Sequence, residues 1–214
     1  MLAGYKVKKI TVQFVGAESS PWKAITELKR IALTPLFRLY FELNGIGWGK
    51  GWLVYGVPII HRYRSSKITI GDYLQIRNWF GSNPLGVKSR SILTTLDREA
   101  EIRIGDFFRA SGVSICAQEL VLIGNNVRIG ANSTIVDTDF HPIDPEERLR
   151  FPQNGKSRAV VIEDNVFVGT ECLILKGTRL GQGSVVGGGS VVTGDFPANV
   201  IIAGNPAKVI QDIN

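Results

Sequence analysis

The sequence predicts an all-β protein folded as a parallel β-helix, with a short, partly helical extension at its N-terminus. The main observation is a strict period of six, in which aliphatic side chains recur at Ile162, Val168, Ile174, Leu180, Val186 and Val192. The same period appears upstream at Ile123, Ile129 and Ile135. A helix spaces apolar residues three and four apart and a half-buried strand spaces them two apart, so neither explains the pattern. A repeat of six residues indicates a β-helix.

A second set of side chains recurs four positions after each aliphatic one. Its members are compact: Val166, Cys172, Thr178, Ser184 and Ser190. Residues an even number of positions apart on a strand point to the same side, so both sets face the axis of a narrow prism. Residues that tolerate tight corners and positive φ lie between them, namely Asn125, Asn126, Asn165, Gly181 and Gly183. Each rung of such a stack is stable only on its neighbours.

Composition limits the class of protein. A chain of 214 residues that is 44% hydrophobic and 21% charged can bury one domain with a small extension. The two cysteines, Cys116 and Cys172, form neither a metal-ligand spacing nor a disulfide framework, which favours a reducing compartment. The N-terminus lacks the pattern of a secretory signal, and no uncharged apolar run is long enough to cross a bilayer. We therefore expect a cytoplasmic protein.

The positive charge is concentrated in the first half of the chain. Residues 1–100 carry 15 lysines and arginines against 6 acidic residues, whereas residues 101–214 carry 10 against 13. A basic N-terminal half suggests an anionic partner, such as a phosphorylated cofactor, a lipid-linked sugar phosphate or a membrane surface. A solvated basic face is the plainer alternative.

Residues 1–66 form the predicted extension. Residues 1–18 read as a loose arm with a strand at 10–15, and Ser20 and Pro21 then mark the start of an amphipathic helix. Pro35 should break or kink this helix. The helix either caps the open end of the solenoid or anchors the protein at a membrane interface, with the nearby Trp48, Trp52 and Tyr55 at headgroup level.

The β-helix domain is predicted to span residues 67–214, with irregular early rungs. Its main interruption lies between Ile135 and Ile162, whose separation is not a multiple of six. The intervening residues are polar, charged and proline-containing, so residues 137–160 should leave the solenoid as a loop. A long loop on a rigid scaffold is a common place for catalytic groups.

These repeats, their interruption and the final sequence VVTGDFPANVIIAGNPAKVI resemble the hexapeptide-repeat acyltransferases. The resemblance covers roughly residues 67–214. It is closest to the maltose, galactoside and nodulation O-acetyltransferases and the similar enzymes of surface-polysaccharide synthesis. It implies a left-handed β-helix, a homotrimer with active sites between subunits, and acetyl-coenzyme A (acetyl-CoA) as the donor.

His141 opens the loop and matches the catalytic His-Pro motif of that family. A sugar hydroxyl is a weak nucleophile, and a neutral imidazole can accept its proton as it attacks the thioester. Asp139 or Asp144 could orient the ring, and sequence spacing does not choose between them. His61 has no such context and is interpreted as structural or as a surface residue.

The cysteines are not expected to carry the acetyl group. Cys172 occupies a compact inward position, where a thiol behaves as a small hydrophobe. Cys116 lies on an irregular rung without a neighbouring histidine in sequence. Direct transfer between bound donor and acceptor is therefore predicted.

The resemblance also implies a donor groove between adjacent subunits. The matching positions are Phe167, Gly169, Thr170, Gly187, Gly188, Thr193, Ala203 and Lys208. Glycines there allow close approach to the backbone, although tight corners explain them equally well. The chain departs from many relatives by reading Thr193-Gly194-Asp195 instead of Thr-Lys-Asp, and in the acceptor region near Gly112 it lacks the expected asparagine. Maltose and galactoside are therefore not implied as acceptors.

The sequence thus predicts an acetyl-CoA-dependent O-acetyltransferase that modifies a hydroxyl of a saccharide or a sugar-containing intermediate of surface polysaccharide synthesis. The partners expected are a sugar or glycolipid acceptor, a homotrimer and a peripheral membrane contact, with no nucleic acid and no metal. A serine O-acetyltransferase would share the fold but usually has a longer helical N-terminal domain. A carbonic anhydrase of this fold needs three histidine ligands and the chain has 2. A non-catalytic scaffold is the remaining alternative.

Overall fold

A computed structural model describes residues 21–213. The predicted arm at 1–18, with its strand at 10–15, and the capping residue Ser20 lie outside the described residues. The helices are α1 (Pro21–Leu43) and α2 (Pro145–Arg150), with a 3-10 turn at Phe80–Ser82.

The strands are short and follow one another around a triangular prism. In chain order they are β1 (Leu53–Tyr55), β2 (Ile59–His61), β3 (Lys67–Ile70), β4 (Gln75–Arg77), β5 (Ile92–Thr95), β6 (Glu101–Ile104), β7 (Arg109–Ser111), β8 (Ser114–Ala117), β9 (Leu120–Ile123), β10 (Arg128–Ile129), β11 (Thr134–Val136), β12 (Val160–Ile162), β13 (Phe167–Val168), β14 (Leu173–Ile174), β15 (Arg179–Leu180), β16 (Val185–Val186), β17 (Val191–Val192), β18 (Asp195–Phe196), β19 (Val200–Gly204) and β20 (Ala207–Asp212).

Three sheets form the faces of the prism, and every pairing within them is parallel except the last. Face A has the order β1-β4-β7-β10-β13-β16-β19-β20, face B is β17-β14-β11-β8-β5-β2, and face C is β18-β15-β12-β9-β6-β3. Only β19 and β20 pair antiparallel, as a closing hairpin. Each rung therefore runs from A to B to C, and the predicted parallel β-helix is confirmed.

The predicted core positions all face the axis of the prism. Every aliphatic residue of the period is buried, from Ile123, which is 1% exposed, to Val192, which is 0% exposed. The compact set is buried as well: Val166, Cys172, Thr178, Ser184 and Ser190. Alternating large and small side chains thus fill a narrow core at close packing.

The corner between faces C and A is held by a column of side-chain acceptors. Asp106 Oδ1 accepts from the amide of Asp72 at 2.7 Å, Asn125 Oδ1 from that of Asp106 at 2.9 Å, and Asp164 Oδ1 from that of Asn125 at 2.7 Å. Beside this column Asn126 and Asn165 take positive φ, as Gly183 does. Asn125 and Gly181 also lie at corners, without that conformation.

The first rung begins earlier than the predicted start near Lys67. Strands β1 and β2 already pair with β4 and β5, so residues 53–61 belong to the solenoid. Val54 and Ile60 carry the signal, since they are spaced like the later core residues and face the same core. The Gly-Val-Pro turn between them obscures the repeat.

Helix α1 covers the open end of the solenoid. Phe41 is 0% exposed and packs edge to face on Trp52, with ring centroids 5.2 Å apart. Pro35 does not break the helix, which continues from Pro21 to Leu43, and contacts hold it on both sides of the proline. Glu27 bonds the hydroxyl of Tyr55 in the first half, and Phe41 anchors the second. These contacts support the capping interpretation.

The opposite side of α1 carries exposed apolar residues at helical spacing: Ile25, Leu28, Leu36, Leu39 and Leu43. No helix in residues 21–213 combines the length and the apolar character that spanning a bilayer requires. The interfacial contact stays a prediction for this side.

Candidate active site

The loop between β11 and β12 leaves the prism at the corner between faces B and C. A short antiparallel bridge between Thr138 and Ser157 closes its base. The amide of Asp139 donates to the carbonyl of Lys156 at 3.0 Å, and that of Arg158 to the carbonyl of Asp137 at 2.8 Å. The two arms are therefore paired, and the loop is an ordered hairpin-like excursion on the solenoid.

His141 lies on the outgoing arm with an exposed side chain. Its Nδ1 atom is 2.5 Å from the carbonyl oxygen of Pro152 on the returning arm. A carbonyl can only accept, so this contact assigns the proton to Nδ1 and leaves Nε2 with a free lone pair. The geometry gives the ring the tautomer that a general base requires.

Gly155 allows the two arms to approach each other at this point. A Cβ at Gly155 would lie 2.5 Å from the carbonyl carbon of Phe140 and 2.6 Å from the amide nitrogen of His141. Phe140 itself takes a φ of 62°, an uncommon conformation for a large side chain. Close backbone packing thus fixes where the imidazole lies.

Neither proposed carboxylate touches the ring in the described part of the chain. Asp139 Oδ2 is 2.6 Å from Lys176 Nζ, with both side chains largely shielded from solvent. Asp144 caps α2, where its side chain accepts from the amide of Glu147 at 2.8 Å. Their role as orienting partners of His141 therefore stays a prediction. The contacts observed assign Asp139 to anchoring the loop and Asp144 to starting its helix.

Asp137 is a site residue that the sequence analysis does not single out. It is 0% exposed, and its carboxylate accepts from the amides of Gln118, Glu119 and Leu120 at 2.7 to 2.8 Å. Burial raises the pKa of Asp137 although these amides favour the charged form. The carboxylate fixes the corner between β8 and β9 beneath the loop. Its position as the first residue of the loop is the only signal in the sequence.

Both thiols are suited to packing rather than to nucleophilic attack. Burial and the charge of Asp137 raise the pKa of Cys116 to about 11. Burial also raises the pKa of Cys172, whose Sγ donates to the carbonyl of Gly187 at 3.2 Å. Thiolates are the reactive form, so the expectation of direct transfer is consistent with these environments.

The eight predicted donor-binding positions are divided between separate parts of the prism. Most lie on β13, on β19 or at the corner between faces A and B: Phe167, Gly169, Thr170, Gly187, Gly188 and Ala203. Thr193 instead follows β17 at the corner between faces B and C, below the loop of His141. Lys208 is exposed on β20 and pairs with Ala203. One chain alone does not bring all of them to one place.

The glycines at the corner between faces A and B have different surroundings. A Cβ at Gly169 would meet Gly188 N at 2.5 Å, so stacking of successive corners demands glycine there. Gly188 is exposed, and the three atoms nearest to a Cβ on it would all belong to Thr170, at 3.3 to 3.6 Å. Gly188 thus leaves backbone accessible to a ligand, while Gly169 serves the fold.

Among residues 21–213 no group of three or more histidine, cysteine or acidic side chains is arranged to hold a metal ion.

Comparison with known families gives a match to the hexapeptide repeat of succinyl-transferase over residues 121–138 and 159–194, which are the regular rungs on either side of the loop. Both matched ranges are thus hexapeptide repeats. The matched ranges stop at the two ends of the loop. The interruption recognised in the sequence is therefore also the gap between the two matched ranges. The resemblance and the left-handed form of the β-helix are confirmed.

Two curated proteins that this chain resembles are galactoside O-acetyltransferases. That of Lactococcus lactis is 45% identical over 44% of this chain and 44% of its own length. That of Escherichia coli is 39% identical over 54% of this chain and 56% of its own. The chain thus spans about half the length of the curated relatives it matches.

Two solved structures share the fold at lower identity. A variant of the N-acyltransferase AntD from Bacillus cereus, in complex with dTDP and coenzyme A, has a TM-score of 0.61 and 21% identity over 81% of this chain and 88% of its own. The polysialic acid O-acetyltransferase OatWY has a TM-score of 0.59 and 22% identity over 78% of this chain and 74% of its own. At these identities the likeness is one of fold.

Proposed function

We propose that the protein is an acetyl-CoA-dependent O-acetyltransferase that acts on a hydroxyl of a saccharide or a sugar-containing intermediate of surface polysaccharide synthesis. The observation that carries the proposal is the exposed side chain of His141, whose Nδ1 is held by the Pro152 carbonyl so that the lone pair of Nε2 is free. Its place at the break in the repeat adds support, as do the relatives that are galactoside O-acetyltransferases.

The chemistry follows from that tautomer. Nε2 accepts the proton of the acceptor hydroxyl while its oxygen attacks the carbonyl carbon of the thioester. The new C–O bond gives a tetrahedral intermediate, and its collapse breaks the C–S bond. The imidazolium then returns its proton to the departing sulfur, so the histidine ends the cycle neutral and the products are an acetyl ester and free coenzyme A.

During this cycle the Pro152 carbonyl stabilises the protonated form of His141. An imidazolium donates from both nitrogens, so the carbonyl keeps its hydrogen bond and stabilises the charge that develops on the ring. In other acyl transferases a carboxylate has this role. Asp139 and Asp144 support the same residue indirectly, through the loop and α2.

The donor is proposed to lie along the corner between faces A and B, against Phe167, Thr170 and the accessible backbone of Gly188. His141 is on a different corner of the same prism. A homotrimer that sets the A/B corner of one subunit beside the B/C corner of the next brings the two together, and it also unites Thr193 with the remaining donor positions.

The test measures the release of coenzyme A from acetyl-CoA, detected with a thiol reagent. Neutral saccharides, acidic saccharides and free serine are supplied in turn as candidate acceptors. Transfer to a saccharide, with an acetyl ester identified by mass spectrometry, supports the proposal. Transfer to serine instead would make the protein a serine O-acetyltransferase. Absence of acetyl-CoA binding in equilibrium dialysis would leave only a scaffold role.

A further inference from the structure

Two stacked arginines, Arg109 and Arg128, and a third beside them, Arg77, lie on face A and are called the arginine column below. The register pairs Gln75 with Arg109, Arg109 with Arg128, and Arg128 with Phe167. These side chains therefore stand above one another on successive rungs, about 4.8 Å apart. Arg77 lies beside them on the same surface, two residues after Gln75.

No carboxylate of residues 21–213 forms an ion pair with these arginines. Arg77 donates to the carbonyl of Ser82 at 2.6 Å and lies 4.3 Å from the ring centre of Tyr55. The guanidinium groups of Arg109 and Arg128 have no hydrogen-bond partner within this part of the chain. Desolvation lowers the pKa of Arg109, and repulsion from Arg128 and Arg77 lowers it further. The column is a concentration of uncompensated positive charge.

Arginines on face C have different surroundings. Arg103 forms an ion pair with Glu101 at 2.8 Å, and Arg179 lies between Glu163 and Asp195. These two arginines of face C are therefore paired with carboxylates, unlike Arg109 and Arg128 on face A. Like charges on adjacent rungs cost stability, and an anionic ligand would remove that cost.

The column lines an open pocket of about 320 Å³. Besides the arginines, its walls include the amide side chain of Gln75, the backbone at Gly130 and the ring of Phe167. Guanidinium groups bind carboxylate and phosphate through two parallel hydrogen bonds. An amide beside them suits hydroxyl groups, and an aromatic ring gives an apolar surface on which a sugar can rest. These are the features that recognise a saccharide bearing a negative charge.

We propose that this arginine column binds the anionic group, a carboxylate or a phosphate, of an acidic saccharide, and so selects a charged acceptor. As an account of acceptor choice the inference rests on the proposed function. Phe167 belongs both to this pocket and to the proposed donor groove, so the lower end of the column adjoins the donor. Face A is opposite the B/C corner, and the His141 that acts on this saccharide belongs to a neighbouring subunit.

The test is isothermal titration calorimetry without acetyl-CoA. The probes are trigalacturonic acid, the corresponding neutral trimer of galactose, and inorganic pyrophosphate. Wild-type protein should bind the acidic probes more tightly than the neutral sugar, and added salt should weaken this binding. The double variant Arg109→Gln, Arg128→Gln should bind them at least about tenfold more weakly. Arg103→Gln is the matched control and should bind as wild type does.

Stability separates a binding role from a structural one. Removing mutual repulsion should leave the melting temperature of the double variant equal to or above that of the wild type, whereas a structural role would lower it. Preference for trigalacturonic acid identifies a carboxylate ligand, and preference for pyrophosphate identifies a phosphate. Equal binding of the neutral sugar, or equal loss in Arg103→Gln, would overturn the inference.

The failure of this inference is distinguishable from that of the proposed function. His141→Ala should bind inorganic pyrophosphate as wild type does, because none of the residues that line the pocket belongs to the loop. If the protein binds the anions but transfers no acetyl group, the acetyltransferase proposal is wrong and the anion site is retained. If it acetylates neutral sugars only and binds no anion, the anion site is wrong and the acetyltransferase proposal is retained.

Discussion

The Nδ1 atom of His141 lies 2.5 Å from the carbonyl oxygen of Pro152, across the two arms of the loop that interrupts the solenoid. A backbone carbonyl thus holds the tautomer that a carboxylate holds in many acyl transferases. Because the partner is backbone, the position of the imidazole depends on how closely the two arms pack.

The packing of the arms is tested at Gly155. In Gly155→Ala, the added methyl group would overlap the backbone of Phe140 and His141, so the outgoing arm must shift. We expect acetyl transfer to fall about 100-fold, since an ångström of misplacement of a reacting group has that cost. Circular dichroism should show a folded solenoid. Gly81→Ala is the control, because a Cβ there meets nothing within 4 Å. Full activity in Gly155→Ala would contradict this account of the loop.

The ion pair between Lys176 and Asp139 is expected to tie the loop to the rung below it. A double-mutant cycle with Lys176→Met and Asp139→Asn should give a coupling free energy of about 0.2 to 1 kcal/mol, since both side chains keep some solvent contact. Hydrogen exchange at the amide of His141 should become faster in either single variant. Lys156 lies on the same loop with an exposed side chain and is the control. Lys156→Met should show no coupling with Asp139→Asn and should leave hydrogen exchange at the His141 amide unchanged. A coupling energy of zero with unchanged exchange would remove Lys176 from the site.

The column of acceptors at the corner between faces C and A should contribute measurably to stability. Asp106→Ala removes the acceptor of the Asp72 amide, and we expect a loss of about 1 kcal/mol in the free energy of unfolding by urea. Asp106→Asn keeps an oxygen in the same place and should cost much less. If both variants lose equal stability, charge rather than hydrogen bonding holds this corner.

Cys116 gives a prediction about pH. Burial and the charge of Asp137 raise its pKa to about 11, so the thiol stays protonated well above neutral pH. Alkylation of Cys116 by iodoacetamide in the native protein should rise about tenfold per pH unit up to pH ~10, whereas the unfolded chain should level off near its ordinary pKa of about 8.5. Asp137→Asn removes a negative charge, lowers this pKa and should speed alkylation at pH 8. Peptide mass spectrometry separates Cys116 from Cys172. A plateau near pH 8 in the native protein would contradict the structure.

The repeat makes the fold predictable, because an inward residue at every sixth position leaves few alternatives to a β-helix. It also exposes the loop, since His141 lies where the period fails. The first rung is harder to recognise, because Val54 and Ile60 are a single repeat beside a turn. Contacts such as those of Asp137 with residues 118–120, or of Lys176 with Asp139, depend on which corners stack. That stacking is set by the loop lengths between rungs.

The arginine column illustrates the same limit. In the sequence, Arg77, Arg109 and Arg128 are separated by unequal intervals, because the turn-rich excursion at 82–90 and a long corner lie between them. Only the strand register places them on one face. Net charge suggests an anionic partner, and three-dimensional pairing indicates where it would bind.

The role of His141 as the base is tested by the rate of acetyl transfer by His141→Ala, measured with saturating acetyl-CoA and the best saccharide of the panel. If the imidazole accepts the proton of the attacking hydroxyl, kcat should fall about 100-fold to 10,000-fold, with acetyl-CoA affinity and melting temperature unchanged. A variant that transfers acetyl within about twofold of the wild type would show that His141 is not the base.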